Sequence, residues 1–190
     1  MEKDRVREAL EKYIIISAKD WEYFSERLHY KLFKKGEYLT QYGQIEKRLY
    51  FLMDGIVMHT VNDGSTSVID FAFPDQFFSC YSSFITQTPS EFAIEPITKS
   101  VVCFYITYKD LQQVYENTTC GEKIGRLAAE QQFLKKTDRE VTLHTLGPRE
   151  KYQKLMATHP DYILKVPLKL LASYLSITPE TLSRVRNEIS

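Results

Sequence analysis

Val166-Pro-Leu-Lys-Leu-Leu-Ala-Ser-Tyr-Leu-Ser-Ile-Thr-Pro-Glu-Thr-Leu-Ser-Arg-Val-Arg-Asn-Glu-Ile189 decides how this chain is read. The stretch resolves into two short helices joined by a tight turn. Pro167 is placed to open the first helix, because a first-turn proline gives up no hydrogen bond. Leu168, Leu171, Ala172 and Leu175 then fall on one face at helical spacing. Ser176-Ile177 interrupts that pattern, Thr178 is a helix cap, and Pro179 opens the second helix, whose apolar face is Leu182, Val185 and Ile189.

The small Ala172 sits where two crossing helices touch, while Leu171, Leu175, Ile177, Leu182 and Val185 supply a shared core. This is the spacing of a DNA-binding helix-turn-helix; an ordinary helical hairpin with a solvated polar face is the alternative. The turn position that often holds glycine is Ser176, for which a left-handed backbone costs about 1 kcal/mol. The second helix exposes Glu180, Thr181, Ser183, Arg184 and Asn187, residue types that accept from cytosine, donate to guanine or hold phosphates. Lys165, Lys169, Thr178 and Arg186 complete the candidate DNA contacts.

The rest of the chain sets the context. With 190 residues, 43% hydrophobic and 26% charged, it has the composition of a soluble globular protein of one large or two modest domains. The charged start, Met1-Glu-Lys-Asp-Arg-Val-Arg-Glu8, does not suit a secretory signal, and no apolar run approaches a membrane span. A cytoplasmic location with no membrane partner is expected. Cys80, Cys103 and Cys120 are widely spaced and odd in number, so they read as reduced thiols in or near a core. No metal site is expected. Net charge is zero, yet residues 1–120 hold 13 basic against 17 acidic residues and residues 121–190 hold 12 against 8, so the basic end is the one with the paired helices.

Val6 to Tyr13 and Ala18 to Leu28 read as amphipathic helices. From Tyr30 onward short runs rich in Tyr, Phe, Val and Ile alternate with Gly, Asp and Asn: 30–33, 48–52, 56–61, 67–73, 91–94 and 100–106. Asn62-Asp63-Gly64-Ser65 suits a hairpin turn. Such strands suggest a β-sandwich or barrel. Beyond Tyr108 the pattern is helical: Tyr108 to Tyr115, a long helix from Gly121 to Leu143, and Pro148 to Thr158, which His159-Pro160 ends. Along the long helix Ile124, Leu127, Gln131, Leu134, Asp138 and Val141 recur near heptad spacing. The stripe is either core or a seam with a second copy, and its interruption by Gln131 and Asp138 points to the seam.

A small barrel, a long helix and a helix-turn-helix in this order resemble the CRP/FNR family of bacterial transcription regulators over nearly the whole chain. Gly43, Tyr50-Phe51-Leu52, Gly55-Ile56-Val57 and Gly64 are similar to the barrel pattern of cyclic-nucleotide-binding domains, and 167–184 looks like the family's DNA reader. Phe71-Ala-Phe-Pro-Asp75, Ser82-Ser-Phe84 and Pro89-Ser-Glu-Phe-Ala-Ile-Glu95 are similar to a Bacteroidetes-type branch.

The resemblance implies an α+β fold: an N-terminal β-barrel (double-stranded β-helix) over 1–119, a dimerisation helix over 120–145, and a helix-turn-helix domain over 146–190. With the chain ending at Ser190, a full wing is not expected. It also implies a non-enzymatic homodimer on an inverted repeat of double-stranded DNA, with RNA polymerase as a further partner. Glu180 and Arg184 then read bases, with Ser183 nearby. A ligand-sensing module without a direct DNA role is the alternative.

At the family's nucleotide site this sequence departs. Phe78-Ser79 stands where cyclic-AMP binders carry Gly-Glu, and Glu91-Phe92-Ala93 stands where they carry Arg-Ser/Thr-Ala. Removing a cationic partner from a buried phosphate costs on the order of 3–5 kcal/mol, so no tight cyclic AMP binding is expected. Phe78, Ser79, Tyr81, Ser82, Ser83, Glu91 and Phe92 either line a pocket for an unknown small-molecule effector or are barrel core. No cofactor is expected.

Overall fold

A computed structural model describes residues 2–62 and 66–189, with Thr66 described by its backbone alone. The hairpin turn expected at Asn62-Asp63-Gly64-Ser65 has its last three residues outside that range. The chain forms two compact units, one of residues 1–62 and 70–129, the other of residues 63–69 and 130–190.

The first unit opens with α1 (Asp4–Glu11) and α2 (Ala18–Ser25). Seven strands follow: β1 (His29–Lys34), β2 (Arg48–Asp54), β3 (Val57–Asn62), β4 (Thr66–Ala72), β5 (Phe77–Phe78), β6 (Phe92–Pro96) and β7 (Ser100–Thr107). A short α3 (Tyr81–Thr86) lies between β5 and β6, α4 (Tyr108–Asn117) follows β7, and α5 (Gly121–Thr145) begins here. The strands make two sheets, β1-β7-β2-β5 and β4-β3-β6. The pairings of β1 with β7, β2 with β7, β2 with β5 and β3 with β6 are antiparallel.

The expected barrel is corrected by this topology: neither sheet closes on itself or on the other. β5 is two residues long, too short to carry the ladder onward, and β1 stands at the opposite edge. The intervening loops add isolated bridges, Thr40 with Ile94 and Ile45 with Pro89.

Alternation along the strands explains why this sheet reads as nearly continuous apolar sequence. Successive side chains point to opposite faces. On β2, Phe51 and Met53 enter one buried cluster with Val6, Leu10, Phe24, Phe104, Ile106, Leu111 and Val114. Tyr50 and Leu52 enter a second with Phe33, Val57, Phe78, Ile94, Val101 and Cys103. The sheet is covered on both faces, by helices on one side and by the other sheet's residues on the other. At the β2–β3 turn Gly55 has φ +86°, and a Cβ there would stand 2.5 Å from the Ser100 carbonyl oxygen, so only glycine fits. Cys80, Cys103 and Cys120 are buried free thiols.

Among the described residues the second unit is helical apart from its part of β4. It holds the later part of α5, then α6 (Pro148–Thr158), α7 (Pro160–Lys165), α8 (Leu168–Tyr174) and α9 (Pro179–Ile189). Glu150 accepts the Gly147 N–H at 2.8 Å, which closes the start of α6. His159-Pro160 does end α6, but the same proline opens α7, a helix the sequence reading leaves out. Among the buried residues of this second unit are Tyr152, Leu155, Tyr162, Val166, Leu171, Ala172, Tyr174, Leu175, Leu182 and Val185. Within this unit the Val68 N–H donates to Ser173 Oγ at 2.9 Å.

Candidate functional site

The pair α8–α9 is built as its sequence predicts, with a one-residue difference: Pro167 stands just before α8 rather than inside it. The turn is a Schellman motif. The Ile177 N–H reaches the Ala172 carbonyl at 3.1 Å and the Ser176 N–H reaches the Ser173 carbonyl at 3.0 Å, with Ser176 left-handed at φ +54°. Thr178 Oγ1 accepts the Thr181 N–H at 3.2 Å, so the threonine caps α9. Arg139 braces the turn from α5: its Nη2 donates to the Tyr174 carbonyl at 2.9 Å, and its guanidinium lies 4.0 Å from the Tyr174 ring centroid.

Leu182 and Val185 bury one side of α9. Glu180, Ser183, Arg184 and Asn187 lie exposed on another side and, with Pro179 and Glu188, line one shallow concavity. The spacing i, i+3, i+4, i+7 puts them on one stripe. The Glu180 carboxyl is held below the usual range by its own backbone N–H and by the Thr178 hydroxyl, so it remains an acceptor at neutral pH. Lys169 is exposed on α8, whereas Thr181 and Arg186 are half-buried outside the concavity.

The residues expected around an effector do not share one wall. Phe78 is buried, stacked on Tyr50 with ring centroids 5.2 Å apart, and Tyr50 in turn meets Phe33 and Tyr105 at 6.2 and 6.0 Å. The Tyr50 hydroxyl donates to the Leu39 carbonyl at 3.2 Å. Phe92 packs against this same cluster, half-buried. Ser79 Oγ donates to the Arg48 carbonyl at 2.9 Å, and Ser83 Oγ accepts the Glu46 N–H at 3.0 Å while donating to the Thr88 carbonyl at 2.5 Å. Both hydroxyls therefore pin backbone. Ser82 and Glu91 are exposed, and Tyr81 joins the other cluster, against the helices.

Sequence reasoning misses Glu46. It is buried in the loop before β2, where its carboxylate accepts from the Thr40 hydroxyl and from the Arg48 N–H at 2.9 Å. Burial pushes this carboxyl up, and the Thr40 and backbone hydrogen bonds oppose the rise. Nothing in Gln44-Ile-Glu-Lys-Arg48 distinguishes it from a surface acid.

On α5, whose 25 residues span roughly 37 Å, Gly121 is the sole buried residue. Ile124 packs against the first cluster and Leu127 is half-buried, while Gln131, Phe133 and Leu134 are exposed. Among the described residues no group of three or more His, Cys, Asp or Glu could hold a metal ion, and no helix is long and apolar enough to cross a membrane.

Comparison with known proteins bears on the first unit and on the fold as a whole. Residues 30–118 match the cyclic nucleotide-binding domain family. No curated protein matches the chain. Among solved structures, FixK2 from Bradyrhizobium japonicum superposes with a TM-score of 0.70 at 18% identity, covering 85% of this chain and 84% of that one. The c-di-GMP-responsive global regulator CLP from Xanthomonas campestris gives 0.67 at 17% identity and covers 91% of each chain. A Eubacterium rectale protein described as a transcriptional regulator of the CRP/FNR family gives 0.67 at 13% identity, with coverage of 92% and 83%. Residues 30–118 are thus similar to the cyclic nucleotide-binding domain family, and the chain has a fold like that of FixK2, CLP and the Eubacterium rectale protein.

Proposed function

We propose that this protein is a homodimeric transcription regulator of the CRP/FNR type, in which α8–α9 is a helix-turn-helix and α9 reads double-stranded DNA. The observation that carries this reading is the division of α9: Leu182 and Val185 are buried, while Glu180, Ser183, Arg184 and Asn187 stand exposed on one stripe. An exposed stripe of donors and acceptors on a short, rigidly capped helix is what base-edge readout requires. Residues 1–119 are the sensor domain, 120–145 the dimerisation helix and 146–190 the DNA-binding domain. Two copies joined along α5 present two α9 helices to an inverted repeat with half-sites about 34 Å apart. RNA polymerase is a further partner of such a complex.

The sensor domain of this proposal does not bind cyclic AMP. Supporting this are the rings of Tyr50, Phe78 and Phe33 packed between the sheets and the Ser79 and Ser83 hydroxyls spent on backbone. Selection of DNA from a random-site pool with the purified full chain tests the reading. A palindromic consensus supports it. Recovery of no preferred sequence at any salt concentration removes the DNA role and leaves a ligand-sensing module.

A further inference from the structure

The helical unit contains a cavity of about 230 Å³ walled by the later part of α5, by α6 and by the end of α8. Lys135, Arg139, Lys151 and Lys154 line it, against Asp138 as its one carboxylate. Three of these cations, Lys135, Lys154 and Arg139, are engaged, and for the last two the partners are defined. Lys154 Nζ donates to Asp138 Oδ1 at 2.6 Å and to Thr142 Oγ1 at 2.7 Å, so the carboxylate is already neutralised. Arg139 is held on Tyr174.

Lys151 is different. It is 8% exposed, and its ammonium has neither an acceptor nor an acid partner among the described residues. Its stem is packed away, while the ammonium at its end keeps contact with solvent, where an anion can reach it. No acid pairs with it among the described residues, and Lys135 and Arg139 stand on the same wall, with Leu143, Leu155, Tyr174 and Leu175 as its apolar part.

We infer that this cavity binds a small phosphate-bearing anion, with Lys151 as its central contact and Lys135 and Arg139 beside it. Phosphate suits the lining, since several oxygens can accept from ammonium and guanidinium groups together. A bulk water occupies about 30 Å³, so the volume admits a phosphate or pyrophosphate group with a small organic body. A duplex backbone could supply the same oxyanion. Separation from the candidate DNA face favours a free anion, because none of the residues that line the concavity on α9 lines this cavity. Tyr174 and Leu175, which do line it, end α8 and lead into the turn, so an occupant touches the residue that precedes Ser176.

Isothermal titration of the full chain with inorganic pyrophosphate, at about 0.15 M salt where loose surface attraction is screened beyond about 8 Å, tests the site. Saturable binding at one site per chain is expected, with a rise in Tm from mass action. Lys151→Met should weaken binding roughly tenfold or more, and Lys151→Arg should keep it within about threefold. Lys135→Ala, at an exposed position on the wall, should weaken it about threefold and tests the site even where Lys151→Met does not fold. Absence of saturable heat with the unmutated chain overturns the inference, as does unchanged affinity in both Lys151→Met and Lys135→Ala. A random-sequence duplex forms the second arm. If Lys151→Met loses affinity for that duplex and the unmutated chain binds no pyrophosphate, the phosphate is DNA's and the free-anion site is wrong.

Discussion

The Asp20 carboxylate accepts the Thr119 hydroxyl at 2.6 Å and the Thr119 N–H at 3.4 Å, so a buried acid on α2 holds the chain two residues before α5 begins. The hydrogen bond from Thr119 keeps this carboxyl below the ordinary aspartate range, against the opposing effect of burial. A lowered folded pKa means stability that is complete above the usual aspartate value and is lost as pH falls through the folded one. Asp20→Ala should cost about 1–3 kcal/mol at neutral pH, because the Thr119 donors lose their acceptor. In urea unfolding from about pH 7 to pH 3, the gap between the two proteins should close towards acid. A gap that does not change with pH would show that Asp20 matters only through packing.

Glu46 should show the opposite dependence. Burial raises its folded pKa, so the carboxyl is protonated in both states below the ordinary glutamate value and its burial carries no charge penalty there. As pH rises through the raised value the penalty appears. Glu46→Gln should therefore gain stability relative to the unmutated chain between acid and neutral pH, measured by the same unfolding series. A difference that stays flat over that interval contradicts the assignment.

Arg184→Ala should weaken binding to a selected duplex by about 1–3 kcal/mol and relax preference at one base pair of each half-site. Binding measured on selected and random duplexes separates the roles. Equal losses on both would make Arg184 a phosphate contact only.

Leu134 is 59% exposed on α5, at a position of the heptad stripe. If α5 is the seam, Leu134→Asp should raise the dimer dissociation constant on the order of a hundredfold, or about 2–3 kcal/mol. Sedimentation equilibrium reads this directly. A dimer of unchanged strength places the seam elsewhere.

Cyclic AMP titrated into the full chain should give no saturable heat at micromolar concentrations. Micromolar affinity would mean that the Tyr50–Phe78 stack opens to admit a ligand.

Much of this architecture could be read without coordinates. Apolar runs at 48–52 and 100–106 fall inside β2 and β7, and Thr178-Pro179 marks the start of α9 because cap and proline chemistry are local. Elements that depend on distant partners could not be read. Phe77–Phe78 form a strand only because Tyr50 and Phe51 lie beside them, and α3 carries Ser82, Ser83 and Thr86 with no clear apolar period. The open sheets were hidden for the same reason, since strand patterning states what a face buries and not whether the ladder closes. Of the five residues that spacing expects exposed on the second helix, Glu180, Ser183, Arg184 and Asn187 are exposed and Thr181 is half-buried, because it leans back towards the cap; for the sensor residues spacing does not foresee that Phe78 and Tyr81 enter different clusters.

Ser176 carries one more consequence, and it lies in the unfolded chain. In the native turn a non-glycine residue at φ +54° is strained by about 1 kcal/mol. Before folding, serine samples fewer backbone shapes than glycine, which offsets roughly 0.5–1 kcal/mol of that strain. The two contributions nearly cancel, so this bend is held by the helices on either side of it, and a glycine there would loosen the denatured ensemble about as much as it relaxed the fold.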